Sequence, residues 1–163
     1  MRASIRGLGS RTMSSSNVTP LRCTVVAVTR LRLRSLWLFP GFFWHSYWTL
    51  YQASKANGCV AADAQRESGL VFWTRTVWRD EVAMRAFVRS GAHKKVMPKL
   101  IHWCDEASVV HWFGRSDQLP DWIVAEDRLR RDGRVLRVIH PSAAHARGDT
   151  VPGLKHAAQA VRR

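Results

Sequence analysis

Chemistry has few places to reside in this sequence. Its seven histidines follow no metal-ligand spacing, and neither an HExxH motif nor a pair of carboxylates accompanies His102 or His111. A GxSxG elbow, a P-loop and a glycine-rich dinucleotide fingerprint are all missing, which excludes conventional hydrolase, kinase and dehydrogenase chemistry. Cys23, Cys59 and Cys104 are far apart, odd in number and without a CxxC pair. That pattern fits reduced thiols in a cytoplasmic protein better than a disulfide framework or a zinc site. Cys104 is also a poor nucleophile, because the neighbouring Asp105 disfavours its thiolate. One candidate remains. In "VWRDEVAMRAFVRSGAHKKVM" a helical stripe through Phe87 and Ser90 runs into Gly91, Ala92 and His93. Continued by three or four residues, the stripe carries His93 toward the inside before Lys94 and Lys95 turn to solvent. There it would face a pocket and touch what the protein binds. The alternative is an ordinary polar residue at a helix break, and both readings stay open at this point.

The elements that must position His93 can be read around it. "TVVAVTRLRLR" (24–34) alternates in its second half, with Thr29, Leu31 and Leu33 on one face and three arginines on the other, so it predicts a strand with one covered face. Pro40 and Gly41 open an aromatic helix that Asn57 and Gly58 stop. Two strands follow, a weaker one over 59–65 and a β-branched, aromatic one over 70–78, joined by a turn at Gly69. Asp80 is placed as the N-cap of the next helix, with Glu81 in its first turn. A second helical segment runs to Trp103, and 107–112 forms a strand. The order β-α-β-β-α-β predicts an α+β, ferredoxin-like domain: one antiparallel sheet with two helices on one face.

The strand ending in Trp78 and the following "RDEVAMRAFVRSGAH" resemble the second half of antibiotic-biosynthesis-monooxygenase-like domains, with their AM..F..S..H pattern. The segment is similar to an uncharacterised bacterial branch of that superfamily, and to spheroidene monooxygenases. The resemblance spans about 24–113 and is concentrated in 71–93. It implies a dimeric α+β barrel, in which ferredoxin-like domains pair through their sheets, with a cavity between sheet and helices. It also implies a hydrophobic ring compound as ligand, oxidised without a cofactor or with haem, or bound without chemistry by a ligand-binding or interaction protein on the same scaffold. The matching positions are Trp78, Phe87, Ser90 and His93, with His93 the catalytic candidate. Trp73, Trp103 and Trp112 are further pocket candidates, or simply core. No metal ligands are assigned.

Composition sets the outer limits. The 163-residue chain carries a net charge of +14, but its basic excess sits toward the two ends, and no nucleic-acid-binding motif accompanies it, so no specific nucleic-acid partner is expected. Residues 1–20 lack a secretory h-region and read as a disordered leader, a segment resembling an organelle transit peptide, or a start placed too early with Met13 as the true one; 21–114 read as the domain, 115–141 as a helix and arm, and 142–163 as a disordered basic tail. "LWLFPGFFWHSYWTLY" (36–51) is too short and too interrupted to span a membrane, and its aromatics are expected to be buried in the protein, with attachment to a surface the alternative. Apolar residues on both faces of 70–78 predict that both sides of the sheet are covered, the second by the sheet of a homodimer partner.

Overall fold

The computed structural model describes residues 23–153. The expected leader, 1–20, lies outside them. β1 (Thr24–Leu33) is the centre of a five-stranded antiparallel sheet and pairs with both β3 (Val71–Trp78) and β4 (Cys104–Gly114). β2 (Cys59–Arg66) flanks β3, and the two-residue β5 (Arg134–Val135) flanks β4, giving the order β2-β3-β1-β4-β5. α1 (Phe39–Lys55), preceded by a 3-10 turn at Leu36–Leu38, connects β1 to β2. α2 (Glu81–Val88) and α3 (Gly91–Trp103) connect β3 to β4. This is the ferredoxin-like α+β fold, and its three connecting helices lie on one face of the sheet. Val25, Trp78, Ala53, Ala83, Met84 and Phe87 form the core there, with a second cluster around Leu33, Phe42 and Cys104. Met84, rather than Ser90, completes the buried stripe of α2.

The opposite face differs from the sequence expectation in three connected ways. The first concerns the arginines of β1. Arg30 is only 3% exposed and meets Glu106, 2% exposed, at 2.6 Å. Arg32 reaches both Asp105 oxygens at 2.8 Å and Glu106 at 3.0 Å. The strict alternation marked two covered faces, not one. A buried Arg30 beside a half-buried Arg32 is tolerable here because β4 sets two adjacent carboxylates opposite them.

The second difference is what covers that face. α4 (Trp122–Asp132) lies across it, packing Ala125 and Leu129 onto Val26, Val28, Trp73, Val77 and Val110. The guanidinium of Arg75 stacks on Trp122 at 4.0 Å and donates to the Pro120 carbonyl. The chain's own helix therefore covers the part of this face that carries Val26, Val28, Trp73, Val77 and Val110.

The third difference is the supposedly loose tail. Beyond β5 the chain follows the β4 edge, with Leu136 N donating to Ala107 O at 2.8 Å and Ser142 N to Asp105 O at 3.0 Å. The short α5 (Ala143–Ala146) is capped by the Ser142 hydroxyl, which also donates to Glu106 at 3.0 Å. His145 is buried against the Leu136 carbonyl, Ser108 donates to Thr150 O at 2.7 Å, and Val151 enters the core. Residues 142–153 are thus part of the domain. Their composition concealed this because they dock through backbone carbonyls and hydroxyls rather than an apolar stripe.

Candidate functional site

Asp80 starts the site by capping α2, its carboxylate accepting from Ala83 N at 2.8 Å. This holds Phe87 over Trp78 with ring centroids 5.0 Å apart, and Trp78 itself is 1% exposed. α2 ends at Val88, and the chain restarts as α3 through Gly91, whose φ of +52° is left-handed and favours glycine. His93 then lies in the first turn of α3. Its ring packs on Phe87 at 4.9 Å, so Trp78, Phe87 and His93 form one continuous column of rings.

The imidazole is oriented as well as packed. Nδ1 lies 3.1 Å from the carbonyl oxygen of Val88, a geometry that requires Nδ1–H to donate and leaves the lone pair on Nε2. Burial lowers the His93 pKa below its usual value, outweighing the opposite effect of the Val88 hydrogen bond. The ring is therefore a neutral base at neutral pH, able to accept a proton or a hydrogen bond at Nε2.

Gln52 on α1 completes the arrangement, and its only mark in the sequence is that of one amide in an aromatic run. Its Oε1 accepts from Ala92 N at 2.6 Å and His93 N at 3.2 Å, while its Nε2 donates to the Ser90 hydroxyl at 3.1 Å. It caps α3 in place of Ser90, whose side chain makes no cap bond. It also fills the space beside Gly91, where a Cβ would lie 2.6 Å from Gln52 Oε1.

The remaining candidates are in other places. Ser90 is exposed at the rim, its hydroxyl 3.2 Å from the Phe87 carbonyl. Trp103 is half-buried, 5.7 Å from His45 and close to Gly41. Trp73 and Trp112 belong to the α4 side of the sheet: Trp73 donates to Glu67 at 2.8 Å, and Trp112 lines a shallow cleft of about 390 Å³ with Arg115, Asp121 and Arg128. The structure thus brings Trp78, Phe87, Ser90 and His93 together and separates them from the three other tryptophans. Alternation along β3 already required Trp73 and Trp78 to face opposite ways.

Residues 38–135, more than half of the chain, match the family model described as Domain of unknown function (DUF3291). The chain belongs to this family. The DUF3291 match contains Gln52, Trp78, Phe87, Ser90 and His93. No curated protein matches the chain by sequence. Among solved structures, a conserved protein from Methanosarcina mazei Go1 is 17% identical and has a TM-score of 0.51, the alignment covering 56% of this chain and 92% of that one. A protein of unknown function from Nitrosomonas europaea is 14% identical at a TM-score of 0.52, covering 62% and 98%. An antibiotic biosynthesis monooxygenase is 11% identical at a TM-score of 0.50, covering 54% and 95%. The DUF3291 domain therefore has the antibiotic-biosynthesis-monooxygenase-like fold.

Haem fits this DUF3291 site poorly. A porphyrin needs an apolar slot beside the ligating nitrogen, whereas one face of the His93 ring is already taken by Phe87. Among the described residues no group of three or more His, Cys, Asp or Glu side chains could hold a metal ion. Cys104 is fully buried, and burial, aided by Asp105, pushes its pKa up to about 12, which keeps it a thiol.

The lowered pKa of His93 has a consequence for stability. The unfolded chain takes up the proton first as pH falls below the ordinary histidine value of 6.5. Stability that is complete above that pH is lost as pH drops toward the lower folded pKa. His45, lowered by burial and Lys99, acts in the same direction. Urea unfolding from neutral pH to about pH 5 should show the loss, and His93→Phe should make it smaller. Identical pH profiles for the two proteins would mean that His93 is not held neutral by burial.

Proposed function

We propose that this protein binds a hydrophobic, hydroxylated ring compound at the column of Trp78, Phe87 and His93, and acts on it as a small monooxygenase. The observation that carries the reading is the fixed tautomer of His93, with Nδ1 committed to Val88 and Nε2 left as a neutral acceptor beside aromatic rings. An acceptor of this kind takes the proton of a ring hydroxyl and leaves an electron-rich ring anion. With molecular oxygen as co-reactant, a ring CH2 becomes a carbonyl. One oxygen atom enters the ring, the other leaves as water, and the substrate supplies the electrons.

The test is a panel of hydroxylated polycyclic compounds, read by quenching of tryptophan emission and by oxygen uptake. His93→Ala should weaken binding at least tenfold, about 1.4 kcal/mol, and abolish oxygen uptake. Unchanged binding with lower stability would make His93 a packing residue and end this reading. One observation favours a second reading, a ligand-binding or interaction protein without chemistry. Trp78 and Phe87 are 1% and 8% exposed and pack α2 onto the sheet as part of its core. Tight, His93-dependent binding with no oxygen uptake would select it.

A further inference from the structure

α1 divides its aromatic residues in an unusual way. Phe42 and Ala53 face the sheet and are buried, while Trp44, Tyr47, Trp48 and Tyr51, at the helical spacing i, i+3, i+4 and i+7, face outward. Trp44 is 61% exposed, and Trp37, in the turn before the helix, is 93% exposed. The outward rings support one another edge to face, with Trp48 5.8 Å from Trp44, 5.7 Å from Tyr47 and 5.8 Å from Tyr51. The sequence expectation that this stretch is buried holds for its inner side only.

Charge is distributed just as unevenly. α3 runs antiparallel beside α1, since Gln52 meets Ala92 at one end, Lys99 lies 2.9 Å from His45, and Trp103 approaches Gly41 at the other end. Lys94, Lys95 and Lys99 are exposed along it, and Lys55 extends the aromatic stripe, 5.9 Å over the Tyr51 ring. The 3-10 turn, α1 and α3 contain no acidic residue, and among the described residues none of these lysines is in an ion pair. The arginines of α4, by contrast, are paired at i,i+4 with that helix's own carboxylates.

From this pairing of features we infer that the outer surface of α1 and α3 docks on an anionic lipid bilayer, lying in its interface without crossing it. Tryptophan and tyrosine prefer the headgroup level, and lysines beside them are drawn to anionic lipid. No helix among the described residues is long and apolar enough to span a membrane. A second copy of the chain fits less well, because a two-fold contact here would oppose like-charged lysines. The surface is the convex outside of a helix, which suits a plane better than a peptide.

The full chain should co-sediment with phosphatidylcholine vesicles containing phosphatidylglycerol, with a blue shift in tryptophan emission, and should be released by salt. Vesicles of phosphatidylcholine alone should bind it at least tenfold more weakly. Trp44→Ser with Trp48→Ser, and separately Lys94→Glu with Lys95→Glu, should each weaken binding at least tenfold while the melting curve stays unchanged. The proposal is overturned if the chain stays in the supernatant, or if the tryptophan variant binds as well as the parent. It is also overturned if light scattering shows a dimer that the tryptophan variant dissociates.

Discussion

Replacing Glu106 by alanine is expected to cost about 3–5 kcal/mol, a fall of roughly 10–20 °C in Tm. Glu106 accepts from Arg30 at 2.6 Å and Ser142 at 3.0 Å and pairs with Arg32 at 3.0 Å, in a position 2% exposed. Without the carboxylate, Arg30 remains buried with no counter-charge, and its Nε already lacks a partner among the described residues. The cost arises from the stranded cation more than from the lost attraction. The double variant Arg30→Met with Glu106→Leu, which removes both charges, should recover most of the loss. Thermal unfolding of both variants checks this. If Glu106→Ala melts within a few degrees of the parent, water reaches Arg30 in a way that the packing forbids.

Ending the chain after Pro141 should lower stability by about 2–4 kcal/mol, chiefly through Val151 and the contacts of Ser142 and His145. Denaturant unfolding of the shortened chain measures it. Two single changes separate the contributions: Val151→Ala tests the apolar contact, and Ser142→Ala tests the hydrogen bond to Glu106. A midpoint that does not move on truncation would mean that residues 142–153 rest on the sheet without stabilising it.

The sequence was legible where local chemistry and periodicity agreed. β3 was visible as a β-branched and aromatic run, and the start of α2 as Asp80, whose carboxylate caps it. Other features depended on contacts between distant residues, which periodicity does not encode. An arginine on alternate strand positions reads the same whether it faces water or Glu106, 76 residues away. α1 is aromatic all round, so its pattern gave no inside and outside, and only the position of the sheet decides that Phe42 is buried and Trp44 exposed. Gln52 is 40 residues from the amide of Ala92 that it caps. The column from Trp78 to His93 was traceable because it lies in one continuous segment. The separation of Trp73 from it was traceable too, by counting along β3, and residue type alone obscured it.

α4 changes the thermodynamic order of covering the sheet. In a two-fold barrel the second cover arrives by association, so it depends on protein concentration and carries the translational entropy of bringing two molecules together. Here the cover is tethered by the short connection between Gly114 and Trp122, and its closure is a unimolecular event with a high effective concentration. Dilution does not remove it. The part of the sheet that carries Val26, Trp73 and Val110 is therefore covered within one chain.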